Sequence, residues 1–129
     1  MMLYLDNAAT TLKKPLSVYA TLFKSTLFSG GNAGRGGHKM SMDAVRAIVD
    51  TQDLIAQLFN IKKAENIVFT QNATYALNTA ILGTMSNGGH IVVTEMDHNS
   101  VLRPACLPGN YTVVKADKSG YVHAEDVEK

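Results

Sequence analysis

The spacing of apolar residues changes character along the chain, and the change divides it. After Pro15, which suits the first turn of a helix, Leu16, Tyr19, Ala20, Phe23 and Leu27 recur at helical intervals. This predicts a helix that packs one face inward and ends at Ser29-Gly30-Gly31. A second helix is expected after a glycine-rich stretch, with Ser41 as its cap and Asp43 in its first turn, where a carboxylate complements the helix dipole. Val45, Ile48, Ile55, Leu58 and Phe59 mark its apolar face, and Asn60 sits near its end. Beyond this point short apolar runs alternate with helical spacing. Ile67–Thr70 reads as a strand, Thr74–Leu82 as a helix, Asn87-Gly88-Gly89 as a turn and His90–Thr94 as a strand. Ser100–Cys106 is a short helix or turn broken by Pro104 and Pro108, and Tyr111–Val114 is a further strand. Near the start, Leu3-Tyr4-Leu5 is a short strand candidate.

Unbroken apolar strands alternating with helices predict an α/β layer with a largely parallel sheet flanked by helices, preceded by an N-terminal helical segment. The expected organisation is an N-terminal segment over residues 1–42, with a short strand, a helix and a Gly-rich loop, followed by an incomplete α/β domain over residues 43–129. Asp117-Lys118-Ser119-Gly120 reads as a turn, and His123–Lys129 as the first turns of a helix that has no apolar face to bury. A truncated chain is therefore expected, with a sheet edge and a core face left open.

Composition narrows the class without naming it. The 129 residues suffice for one core, and 46% hydrophobic with 18% charged residues describes a globular chain. Twelve basic and eleven acidic side chains nearly cancel, and basic residues cluster only as the pairs Lys13-Lys14 and Lys62-Lys63. That is no electrostatic footprint for nucleic acid or anionic lipid. The start of the chain lacks a basic region followed by a long apolar run, and no stretch has the length of a membrane-spanning helix, so a cytoplasmic location is expected. The single cysteine, Cys106, has no partner for an internal disulfide. Flanked by Pro104, Ala105, Leu107 and Pro108, it has no activating charge and is expected to be a small buried hydrophobe.

The strongest chemical signal is Thr70-Gln71-Asn72-Ala73-Thr74, where a predicted strand gives way to a helix. Free amides and the positive end of the helix dipole converge at such a junction, and small residues let a phosphate approach. Ala73 and Thr74 would supply amides and Thr74 a hydroxyl; the plainer reading is a threonine helix cap. The loop from Gly30 to His38 is no dinucleotide fingerprint, because it follows a helix and its glycine order is wrong. Nor is it a P-loop, because His38 stands where lysine is needed. Arg35 and His38 within it could bind an anion. His98 lies at the carboxyl end of a strand, where an imidazole could stack on a flat ring or transfer a proton. A metal site is not expected, since Asp97 and His98 are adjacent and neighbouring strand residues point to opposite faces. His90 is expected to pack at a strand start and His123 to be exposed. Lys39, Lys62, Lys63 and Lys115 are aldehyde-binding candidates only by default.

Four blocks occur together: Tyr4–Thr11, Gly31–His38 followed by Ser41, Phe69–Asn78 and Glu95–Leu102. In this order they resemble the class V aminotransferase family, especially its cysteine desulfurase and selenocysteine lyase branch, over almost the whole chain. The resemblance implies the N-terminal part of the large domain of a fold-type I pyridoxal-phosphate enzyme, usually a homodimer. By that likeness Ala73 and Thr74 bind the cofactor phosphate, and His98 stacks on its ring and assists catalysis. Asn7, Ala8, Ala9, Arg35 and His38 lie near the substrate. Asn78 belongs to the motif without an assigned role. The family's Schiff-base lysine, the aspartate facing the pyridine nitrogen, the substrate-binding arginine and the sulfur-accepting loop cysteine would all lie beyond Lys129; Cys106 does not match the last of these.

The implied function is that of an N-terminal portion of a cysteine desulfurase-like enzyme. Such an enzyme converts L-cysteine to L-alanine and passes the sulfur, held as an enzyme persulfide, to an acceptor protein. The portion by itself would be inactive. The alternatives are a class V aminotransferase or selenocysteine lyase acting on another amino acid, and a non-catalytic phosphate-binding or dimerisation module.

Overall fold

The computed structural model describes residues 3–128. Its contacts divide the chain into two units, one ending at Ile67 and one beginning at Val68.

In the first unit, residues 3–15 run without regular structure, and the strand expected at Leu3–Leu5 does not form. An apolar extended run becomes a strand only when a neighbour accepts its ladder of hydrogen bonds. Helix α1 (Leu16–Phe28) is placed as expected, with Pro15 just outside it as the N-cap and Ser29 as its C-cap. Its apolar face does not pack inward: no residue of α1 is buried, and Leu16, Tyr19, Phe23 and Leu27 are all exposed.

Helix α2 (Lys39–Leu58) follows the glycine loop. Its cap is His38, whose ring nitrogen accepts the Ser41 amide, while Ser41 lies inside the first turn and is fully buried. Serine was expected to be the cap because its short side chain commonly reaches these amides. Here the imidazole of His38 caps the amide of Ser41 itself, three residues on. The helix ends in a Schellman arrangement. The Asn60 amide bonds the Gln57 carbonyl, the Ile61 amide bonds the Ala56 carbonyl at 2.8 Å, and Asn60 takes the required positive φ of 52°. A single 3₁₀ turn, Ala64–Asn66, packs back against α2, and the Gln52 side-chain amide donates to the Ile67 carbonyl at 2.7 Å. Of the apolar face expected on α2, Ile48, Leu58 and Phe59 are exposed; Ala56 is the buried apolar residue.

The second unit carries the α/β pattern. Ile67–Thr70, at the boundary, has no strand partner among the described residues, so the first expected strand is absent. Helix α3 (Ala73–Met85) leads through a turn with Gly88 and Gly89 at positive φ into β1 (Ile91–Thr94). Helix α4 (Asn99–Cys106) then crosses over to β2 (Tyr111–Val114), which pairs parallel with β1, Ile91 opposite Tyr111 and Thr94 opposite Val114. A parallel pair requires such a crossover, and α4 packs on both β1 and α3. Val93, Val114, Pro104 and Ala105 form the small core. Pro104 is fully buried within α4, and the helix runs on past it to Cys106, so the expected break does not occur there. Cys106, expected inside, is exposed at the end of α4. Cys106 raises the pKa of the neighbouring Tyr111 phenol above its ordinary value. A short helix α5 (Ala124–Val127) follows the turn at Asp117–Gly120.

Candidate functional site

Helix α3 begins with an unusual division of labour. The Asn72 side-chain oxygen accepts the Tyr75 amide at 2.9 Å, and its backbone carbonyl accepts the Ala76 amide. Asparagine, not Thr74, is therefore the cap. Thr74 sits one position into the first turn, and its carbonyl receives the Asn78 side-chain amide at 2.8 Å. Among the described residues, the amides of Ala73 and Thr74 and the Thr74 hydroxyl have no hydrogen-bond partner. Thr74, Tyr75 and Asn78 line a surface depression of about 300 Å³. Two amides at the positive end of a 13-residue helix, with a hydroxyl beside them, form a donor set that suits a phosphate group.

The carboxyl end of the β1–β2 pair is tied by two acids. The Asp97 carboxylate accepts the Thr94 amide at 2.7 Å and the Thr94 hydroxyl at 3.1 Å. The Glu95 carboxylate accepts the Ala116 amide at 2.9 Å, and the Glu95 amide donates to the Val114 carbonyl. From this fixed turn His98 enters as the N-cap of α4, its Nδ1 facing the Ser100 amide at 3.1 Å and the Ser100 hydroxyl at 2.9 Å. His98 itself is exposed. Helices α3 and α4 pack together, so Ala73, Thr74 and His98 belong to one unit and start two neighbouring helices.

The remaining residues belong to the first unit. Asn7, Ala8 and Ala9 are exposed in the irregular N-terminal stretch, where the Asn7 amide donates to the Leu5 carbonyl. In the glycine loop, Asn32 folds its side chain onto the Gly34 amide at 2.8 Å. Gly36 has a φ of 131°, a conformation open to glycine. Both ring nitrogens of His38 turn to Ser41: Nδ1 to its amide at 3.4 Å and Nε2 to its hydroxyl at 3.1 Å. The Ser41 hydroxyl also reaches the Arg35 carbonyl at 3.5 Å, while the Arg35 guanidinium forms no ion pair among the described residues. At the start of α2, Lys39 donates to Asp43 at 2.6 Å and holds that carboxyl below its ordinary pKa.

Three residues that carry this geometry were not singled out in the sequence for it: Asn72 and Ser100, which fix the two helix starts, and Asp97, which fixes the turn before His98. The two helix starts had a local signal, an asparagine or histidine two or three residues ahead of the amide it caps, whereas Asp97 reaches back to the Thr94 amide and had none. His90 bridges the strands, Nδ1 to the Asn110 side-chain oxygen at 2.7 Å and Nε2 to the Thr112 hydroxyl at 2.8 Å. His123 is half exposed, its Nε2 3.7 Å from the Asp117 carboxylate. Among the described residues no group of three or more metal-ligating side chains comes together, and no helix is long and apolar enough to cross a membrane.

The fold is that of the NifS-like proteins. A solved structure of a NifS-like protein superposes with a TM-score of 0.80 over 98% of this chain and 36% of its own length, at 22% identity. The chain belongs to the class V aminotransferase family, whose sequence profile matches residues 3–129. It is 39% identical over 105 residues to a probable cysteine desulfurase of Aeropyrum pernix, covering 78% of this chain and 25% of that protein. It is 34% identical to one of Synechocystis (80% and 25%) and 28% identical to one of Borreliella burgdorferi (98% and 32%). The chain thus spans about a quarter to a third of the length of these relatives. The family is one of pyridoxal-phosphate enzymes, and the donor set at the start of α3 fits that cofactor's phosphate.

Proposed function

We propose that this chain is the N-terminal part of a cysteine desulfurase-like enzyme, a cytoplasmic homodimer that takes sulfur from L-cysteine, releases L-alanine and hands persulfide sulfur to an acceptor protein. The observation that carries the reading is the start of α3, where Asn72 does the capping and leaves two amides and the Thr74 hydroxyl unengaged. The cysteine desulfurase relatives, matched along most of this chain, direct it to that chemistry.

In this reading Ala73 and Thr74 hold the phosphate of pyridoxal phosphate and His98 lies against its ring. When bound, the cofactor supplies an electron sink for the bond changes at the amino-acid substrate. The chain's own residues bind and orient. The α3 dipole and the Thr74 hydroxyl fix the phosphate, and the Glu95 and Asp97 carboxylates keep the turn before His98 rigid. Asn7, Ala8 and Ala9 line the substrate side, and the Arg35 guanidinium meets an anionic group. His38 serves there by shaping the loop, since both of its nitrogens are given to Ser41. The Schiff-base lysine, the pyridine-facing aspartate, the carboxylate-binding arginine and the sulfur-accepting cysteine lie on further polypeptide, so residues 1–129 alone are inactive.

The test uses the polypeptide of the complete reading frame, purified with pyridoxal phosphate and given L-cysteine with a thiol reductant. Equal release of L-alanine and sulfide is expected, and Thr74→Val should weaken cofactor retention. Formation of an oxo acid without sulfide would assign the protein to the transaminating members, and preference for selenocysteine to the lyases. Residues 1–129 mixed with the cofactor and reduced with borohydride should give no covalent adduct at a single lysine. Such an adduct would overturn the placement of that lysine outside this chain.

A further inference from the structure

We propose that Ser100 is a positioning residue that holds His98 as the tautomer with its proton on Nε2, so that the neutral ring meets its ligand as a hydrogen-bond donor rather than as a base. The argument is an accounting of lone pairs. A backbone amide only donates, so the contact from the Ser100 amide to His98 Nδ1 at 3.1 Å requires a lone pair on Nδ1. The Ser100 hydroxyl, 2.9 Å from the same nitrogen, must then donate as well. In a neutral imidazole the single proton is left to Nε2, which has no partner among the described residues.

The surroundings hold this arrangement in place. Ser100 is only 9% exposed, so its hydroxyl has little water to turn to. The His98 carbonyl accepts the Val101 amide at 2.8 Å and the Leu102 amide at 3.2 Å, which anchors the backbone that carries the ring. His38 uses the same capping device differently. There Ser41 takes both ring nitrogens, at 3.4 and 3.1 Å, and no free N–H remains. His98 keeps one edge tied and one edge available, which is the requirement for a directed donor.

The tautomer rests on the α4 geometry alone; what the free N–H meets rests on the reading of His98 as cofactor-facing. The test therefore has two readouts on the complete, cofactor-loaded protein labelled with ¹⁵N-histidine, using His98→Asn to identify the His98 signals. Ring ¹⁵N spectra at neutral pH should show His98 as the Nε2–H form. Ser100→Ala keeps the backbone amide and removes only the hydroxyl donor, so it should admit a minor Nδ1–H fraction beside the parent form, and Ser100→Thr should restore the parent pattern. Ser100→Cys, close in size and a weaker donor, should fall between them and provides a folded comparison. An Nδ1–H ring in the parent protein, or spectra unchanged by Ser100→Ala, would overturn the positioning role. In turnover, loss of the one hydrogen bond in Ser100→Ala should lower kcat roughly fivefold with KM little changed. Shifted tautomers with an unchanged kcat would overturn the donor role of His98 at the cofactor while leaving its tautomer control by Ser100 in place.

Discussion

Gly31 lies directly against the backbone of Met40: a Cβ built on it would fall inside the carbonyl carbon and oxygen of Met40 and 2.5 Å from the Ser41 amide nitrogen. These atoms are the first turn of α2 and cannot rotate aside as a side chain would. Gly31→Ala should therefore displace the loop or the helix start, at a cost of about 1–3 kcal/mol, as overpacked sites do. Gly37 in the same loop has open space at its Cβ position, and Gly37→Ala should change stability by less than about 0.5 kcal/mol. Denaturant midpoints for the two variants decide the matter, and equal midpoints would remove the close approach.

Asn72 separates helix capping from ligand binding. Asn72→Ala removes the acceptor of the Tyr75 amide and should cost about 1 kcal/mol. Asn72→Asp keeps an acceptor and adds a negative charge at the positive end of α3, so its stability should match or exceed that of the parent chain. The same charge would stand beside a phosphate, and pyridoxal-phosphate affinity of the complete protein should fall more in Asn72→Asp than in Asn72→Ala. Thermal unfolding and cofactor titration, compared across the pair, give opposite orders if the phosphate sits there.

How far the sequence carried depended on the range of the interaction concerned. Helices α1 to α4, the strands at Ile91–Thr94 and Tyr111–Val114 and the turns between them followed from period, glycine and capping chemistry, all written within a few residues. The strands expected at Leu3–Leu5 and Ile67–Thr70 failed because an apolar run does not contain its own ladder partner. The inward face expected for α1 failed for a related reason: periodicity shows which face is apolar, not what covers it. At the site, the junction at Ala73 and Thr74 was legible from strand-to-helix order. The capping roles of His38 and Asn72 were assigned instead to Ser41 and Thr74, because propensity ranks residue types and geometry chooses among neighbours. The placement of Asn7, Ala8, Ala9, Arg35 and His38 near the substrate came from the family resemblance, because short motifs do not encode long-range packing.

The turn before α5 should open in acid. The Asp117 carboxylate accepts the Ser119 hydroxyl at 2.6 Å, the Ser119 amide at 2.8 Å and the Tyr121 amide at 3.0 Å, with the Ser119 side chain the largest influence, and these bonds hold its pKa below the ordinary 3.8. A carboxyl with a lowered folded-state pKa contributes stability that is fully present above its unfolded value. That contribution is lost as pH falls below 3.8 through the folded value. The amides of Ser119 and Tyr121 should lose protection in that window, observable as chemical-shift changes that titrate together. Asp117→Asn should flatten the titration, and an unchanged profile in that variant would place its origin elsewhere.

Burial within residues 1–129 makes a last distinction, between the small core and the apolar surface of α1. Val93 is 4% exposed between α4 and β2, so Val93→Ala deletes buried methyl groups and should destabilise the chain by about 1–2 kcal/mol. Phe23 is the larger residue but is 68% exposed among the described residues. Phe23→Ser in residues 1–129 should thus cost less than about 0.5 kcal/mol and reduce binding of an apolar dye. In the polypeptide of the complete reading frame the same substitution should cost several times more if further chain covers α1, because the methylene and ring area lost from the interior then counts in full. Measuring both substitutions in both polypeptides separates residue type from environment: Val93→Ala should behave alike in the two, and Phe23→Ser should not.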